Sequence, residues 1–127
     1  MNKESFFLIF VAFGVFLVSL TYGVLPNATL SYLYDIEVNS IILSNIFRAI
    51  MVSYLALVTF WIAGAKYENL RIPALWSLTI FMTGLALGRA LSIAIDGIPY
   101  PLFIIWMIIE FISACLGYKF IRDLQKD

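Results

Sequence analysis

The stretch FFLIFVAFGVFLVSLTYGVL, residues 6–25, runs for twenty residues without a charge. In a helix rising roughly 1.5 Å per residue it reaches about 30 Å, the thickness of a bilayer's hydrocarbon core. Pro26 and Asn27 follow as a stop. Lys3 ahead of the apolar run gives the outline of a secretory signal, but the run exceeds the usual apolar region of about 7–15 residues, so a retained membrane span is expected.

Three further stretches have the same character. Residues 41–63 are interrupted only by Arg48. Residues 75–95 follow Pro73 and contain Arg89, and residues 102–121 follow the breakers Gly97, Pro99 and Pro101 and contain Glu110. The chain of 127 residues is 63% hydrophobic and 13% charged, against about 45–50% and about 25% in soluble domains. The expected fold is all-α and integral to the membrane: one domain, residues 1–127, forming a four-transmembrane-helix bundle.

Lysine and arginine set the expected orientation. Lys3 precedes the first span, Lys66 and Arg71 lie between the second and third, and Lys119, Arg122 and Lys126 surround the end of the fourth. The Asn27–Ser40 loop and the 96–101 turn carry no basic residue. Basic loops face the cytoplasm, so both termini are expected inside, in a bacterial inner membrane. Aromatic residues near the predicted span ends fit this arrangement: Tyr22, Tyr32, Tyr34 and Tyr100 outside, Trp61, Tyr67, Trp76 and Tyr118 inside. Asn27-Ala28-Thr29 matches a glycosylation acceptor, a pattern without meaning in a bacterial protein.

Several chemistries lack their side chains. With no histidine, the common zinc sites, imidazole-ligated haem and His-based acid–base catalysis fall away. One cysteine, Cys115, supplies neither an internal disulfide nor a redox pair, and lacking a basic neighbour it is read as a packing residue. No metal and no cofactor is expected. Eight basic and eight acidic residues without a run of like charge leave no nucleic-acid footprint. Ser44, Ser53, Ser92 and Ser113 are hydroxyls outside any nucleophile motif, so no enzyme is expected.

The informative residues are the charges inside the spans. Each costs about 2.5–3.5 kcal/mol at mid-bilayer, so Arg48, Arg89 and Glu110 together oppose insertion by ~9 kcal/mol unless they find partners. Counted from the outer span ends, Arg48 lies roughly 12 Å deep, Arg89 roughly 9–10 Å and Glu110 roughly 13 Å. Helical spacing adds Ser44 and Asn45 to the Arg48 face, and Ser92 and Asp96 to the Arg89 face. The expected site is a buried cluster of Arg48, Arg89, Glu110, Asp96, Asn45, Ser92 and Ser44, opening outward. Two arginines meet one carboxylate at that depth, so Asp96, Asp35, Glu37 or an external anion must balance the second.

Three readings follow. The cluster binds an anionic lipid headgroup or small anionic metabolite through an arginine clamp. Alternatively it is structural, holding helices or protomers together as an accessory subunit. A third reading is a small transporter using Glu110, which two neighbouring arginines disfavour by stabilising its ionised form. Trp106 and Tyr54 could contact a ligand, though bulky aromatics in a span are more often lipid-facing or core. Nearer the inner side, Gly84-x-x-x-Gly88, Ala49, Ser53, Ala56, Ala114 and Gly117 predict dry, close helix contacts. Gly84 and Gly88 could also serve a homo-oligomer, which so thin a bundle suggests.

Tyr22-Gly23-x-x-Pro26, Asn45-x-x-Arg48-Ala49 with Tyr54, Gly88-Arg89-x-x-Ser92 with Asp96-Gly97-x-Pro99, and Glu110 stand in fixed order over nearly the whole chain. This pattern resembles a bacterial four-span inner-membrane family catalogued only as a domain of unknown function. The resemblance implies a four-helix membrane bundle and one polar unit of Arg48, Arg89, Asp96 and Glu110, and it implies no reaction. Family members usually have glycines after the second-span arginine, where this chain has Met51 and Val52, which argues against a close helix contact there.

Overall fold

The computed structural model describes residues 1–126. These form five helices and no strand: α1 (Lys3–Gly23), α2 (Pro26–Tyr34), α3 (Ile41–Lys66), α4 (Glu68–Asp96) and α5 (Pro101–Gln125). All but α2 are long and apolar enough to cross a membrane. The chain is thus a multi-pass, all-α membrane protein.

Local chemistry explains the ends. Asn2 accepts the Ser5 N–H at 2.8 Å to cap α1, and Ser40 accepts the Leu43 N–H at 3.0 Å to cap α3. Pro26 does more than stop the first span. It opens α2 at a position where its fixed φ suits a helix and its missing N–H costs nothing. Asp35, left-handed at φ 57°, ends α2, and the Ile36 N–H closes back on the Leu30 carbonyl at 3.2 Å. The returning chain is pinned where the Asn27 side chain accepts the Val38 N–H at 3.0 Å. The asparagine of the acceptor-like triplet therefore has a structural use.

The helix of the third span, α4, begins earlier than the apolar pattern suggests. It starts at Glu68, leaving Tyr67 alone as the α3–α4 connection, with Pro73 inside the helix. Arg71 and Ser5 make this sharp turn tolerable by donating to the Ala65 carbonyl at 3.0 and 2.9 Å, satisfying an acceptor at the end of α3.

The helices pack in a row, α1 on α3, α3 on α4 and α4 on α5, without a comparable seam between α1 and α5. Those two helices meet at the end that carries the termini. There Phe7 lies on Phe120, with centroids 5.0 Å apart, and Lys3 pairs with Asp123 at 3.1 Å. The core of this terminal half gathers Leu8, Val58, Trp61, Leu75, Leu78 and Ile121. Trp61, expected at an interface, is fully buried instead and donates to Ser77 Oγ at 3.0 Å. The opposite half holds a smaller core of Tyr22, Leu30, Tyr34 and Val38, partly supplied by α2. Trp76 and Tyr118 form an exposed edge-on pair at 6.2 Å.

The close contacts are made by other glycines than Gly84 and Gly88. A Cβ at Gly64 would strike that of Ala74, one at Gly117 would strike the Thr79 hydroxyl, and one at Gly23 would lie 2.6 Å from Met51 Cβ. Gly84 and Gly88 have open space around them, and Ala49, Ser53 and Ala56 are exposed. The α1–α3 contact is therefore close at Met51 after all, because the glycine comes from α1. Cys115, too, is exposed rather than packed.

Candidate functional site

The sequence brings Arg89 and Glu110 to one level, on adjacent helices. The guanidinium forks the carboxylate, donating from Nε to Oε1 at 2.7 Å and from Nη2 to Oε2 at 3.0 Å. Glu110 is buried, and the Arg89 guanidinium lies over the Phe103 ring at 5.5 Å. Such a bidentate pair satisfies both carboxylate oxygens and leaves the site neutral.

Arg48 does not join it. Its Nη1 donates to the Gly23 carbonyl at 2.5 Å and reaches that of Val24 at 3.5 Å. The reason is electrostatic: the last carbonyls of α1 lack helical partners and carry the negative end of the helix dipole, which attracts a cation. The second arginine therefore lies apart from the carboxylate, its charge stabilised by backbone oxygens though not neutralised by them. Depth along the span was a sound guide for Arg89 and Glu110, but equal depth does not put Arg48 on the same face of the bundle.

Asp96 is exposed and accepts the Ser92 hydroxyl at 2.9 Å within the last turns of α4. Among the described residues it forms no ion pair with either arginine. Asn45 is exposed and Ser44 half-buried on α3, and neither hydrogen-bonds to Arg89 or Glu110. The expected cluster of seven thus separates into the Arg89–Glu110 pair, Arg48 as a helix-end cap and an exposed Ser92–Asp96 contact, with Ser44 and Asn45 apart from all three.

Aromatic rings surround the pair instead. Tyr22 stacks on Phe47 at 6.1 Å, Tyr54 meets Tyr22 edge-on at 5.9 Å, and Phe81 continues the series against Tyr54 at 5.2 Å and Trp61 at 5.8 Å. Tyr34 of α2 stacks on Phe103 at 4.7 Å and accepts the Trp106 N–H at 3.0 Å, tying α2 to α5. Tyr22, Phe103 and Gly14 are site residues that sequence reasoning did not select. Only Tyr22 carried a signal, as part of the first-span motif.

Two cavities flank this partition. The first, about 360 Å³, lies between α1, α4 and α5 and is lined by Phe10, Gly14, Val18, Tyr22, Tyr54, Leu85, Trp106, Ser113 and the Arg89–Glu110 pair. The second, about 470 Å³, is lined by Ile50, Gly84, Gly88, Ser92, Pro99 and Phe103. Tyr22, Tyr54, Leu85 and Arg89 are common to both. The first cavity is walled almost wholly by carbon, and exposed Phe10, Leu17 and Ile109 form its margin where α1 and α5 lack a seam. The second exists because Gly84 and Gly88 project no side chain into it. Among the described residues, no group of histidine, cysteine or carboxylate side chains has the arrangement of a metal site.

No curated protein and no solved structure matches the chain. The model of one family, described as Domain of unknown function (DUF4345), matches residues 4–120.

Proposed function

The chain belongs to the DUF4345 family, and we propose that this member is a small membrane protein that binds a lipid-like molecule beside Arg89 and Glu110. The observation that carries this reading is the position of the pair. Both partners line the first cavity, and Arg89 also lines the second; the first holds about 360 Å³, within the roughly 300–1,000 Å³ of ordinary ligand sites. A pair needed only to fasten α4 to α5 would be expected in a closed seam, and charged groups inside a span mark functional sites by default.

The orientation proposed is that of the basic loops, with the termini in the cytoplasm and the pair in the outer half of a bacterial inner membrane. Binding is favoured over catalysis, since the Ser53 hydroxyl is returned to its own helix at 2.8 Å and that of Ser92 is spent on Asp96. A proton-carrying role for Glu110 is disfavoured, because both its oxygens are occupied by Arg89. No external anion is placed beside the pair, because the second arginine, Arg48, stands apart from it on backbone carbonyls and lines neither cavity.

The bidentate geometry itself supports a second reading, in which the pair only fixes helix register. Native mass spectrometry of gently extracted protein separates the two. The expected result is a discrete adduct on wild type that Arg89→Gln loses and Arg48→Gln keeps, because Arg48 lines neither cavity. A wild type without an adduct, together with an Arg89→Gln variant that unfolds or changes protomer number, would leave the structural reading standing. The same spectra report whether the protein is a homo-oligomer.

A further inference from the structure

We propose that the ligand is a single-chain amphiphile with an uncharged, hydrogen-bond-accepting head, admitted sideways from the bilayer between α1 and α5. This rests on the binding reading above and assigns it a chemical class and a route.

The route follows from the packing. α1 and α5 are held together at the terminal end by Lys3–Asp123 and Phe7–Phe120. At the other end α5 is tied to α2 by Trp106 and Tyr34. Between these fastenings Gly14 faces open space, and the apolar margin of the first cavity is exposed. In a membrane that margin meets lipid chains, so an apolar molecule reaches the cavity without crossing water.

The tail follows from volume and lining. At roughly 30 Å³ per small group, the share of a water molecule in the liquid, a cavity of about 360 Å³ takes on the order of a dozen methylenes. Its carbon walls offer such a chain nothing to exclude.

The head follows from charge. A guanidinium has five N–H donors; Glu110 takes two of them and the Tyr22 hydroxyl is a partner for a third. The remaining donors of Arg89 favour an acceptor oxygen. The pair is already neutral, so a carboxylate, phosphate or ammonium head would bring a net charge into a medium where an uncompensated ion is costly. A hydroxyl or carbonyl head adds an acceptor without adding charge.

Three probes with the same dodecyl-length tail test the assignment in native mass spectra of the detergent-extracted full chain: 1-monododecanoylglycerol, dodecanoate and dodecylammonium. Wild type is expected to bind the neutral probe about tenfold more tightly than either charged one. Gly14→Leu, which puts a side chain into the first cavity, should lower neutral-probe affinity about tenfold, and Gly88→Leu, which fills only the second, should leave it within about twofold. At both positions a Cβ would meet no heavy atom within 4 Å, and thermal melts of each variant verify that it stays folded. A preference for dodecanoate or dodecylammonium overturns the head assignment alone. Loss in Gly88→Leu with retention in Gly14→Leu overturns the route. If wild type carries neither a native adduct nor any of the three probes, the binding reading itself falls.

Discussion

The two halves of the bundle are built from the same residue types and packed to opposite ends. In the terminal half, glycines at 64 and 117 let neighbouring helices touch, and Trp61, Leu8, Leu75, Leu78 and Ile121 are completely buried. In the other half, Gly23 packs on Met51 but glycines at 14, 84 and 88 touch nothing, and the space they leave is bounded by tyrosines and one ion pair. Lipid tails are as apolar as leucine, so helices in a bilayer associate through close packing and hydrogen bonds and not through the expulsion of water. The terminal half supplies that packing, which allows the other half to stay open. Glycine in a membrane helix is therefore no signature of contact by itself. It marks contact where a neighbour fills the gap, and a cavity where none does.

The largest effect that would test this division is the removal of one tryptophan from each half. Trp61→Ala deletes a side chain with no exposure and a hydrogen bond to Ser77, and about 3–5 kcal/mol of stability should go with it. Trp106 is half-buried beside a cavity and bonds Tyr34. Trp106→Ala should cost a smaller ~1–3 kcal/mol, mostly the hydrogen bond and a few contacts. Unfolding in mixed detergent micelles measures both. Equal losses would mean that the Arg89 half is as tightly packed as the terminal half.

The ion pair is the next point of attack. Glu110→Leu leaves Arg89 without its carboxylate inside the span and should destabilise the protein by about 3–5 kcal/mol in the same assay. Replacing both partners, Arg89→Leu with Glu110→Leu, should restore most of that, since an apolar pair of similar volume suits a dry seam at least as well. The double variant then separates stability from binding: it should fold and carry no adduct. If it folds and still carries the wild-type adduct, the pair plays no part in the site.

How much of this could be read beforehand follows from the kind of signal involved. The four spans were legible because apolar runs of about twenty residues, the first without a charge and the others with one or two, can scarcely serve another solvent. Arg89 and Glu110 were legible because charge in a span demands a partner at its own depth. Arg48 was misassigned because depth along a helix says nothing of azimuth, and because the acceptors that hold it are the carbonyls of Gly23 and Val24, which any sequence would provide. α2 was missed because nine residues with three buried side chains fall below the length at which periodicity speaks. The cavities could not be read at all, since Gly84-x-x-x-Gly88 looks the same whether a neighbouring helix covers it or leaves it bare.

Two alanine substitutions turn that ambiguity into a measurement. At Gly64 the new methyl would meet Ala74 Cβ and lie 3.1 Å from the Leu70 carbonyl oxygen. Neither is the free end of a flexible side chain, so α3 and α4 must separate, at a cost of about 1–3 kcal/mol. At Gly84 no heavy atom lies within 4 Å of the added carbon. The substitution then acts only on the backbone, where alanine favours the helix over glycine by up to about 1 kcal/mol. Gly64→Ala should therefore melt lower than wild type, and Gly84→Ala at or slightly above it. A drop in both would mean that the bare face of α4 is covered in the folded protein. Gel filtration in detergent would then decide the cover: loss of a larger species in Gly84→Ala identifies a second copy of the chain, whereas an unchanged elution volume would put a bound molecule in the second cavity, against the assignment of the amphiphile to the first.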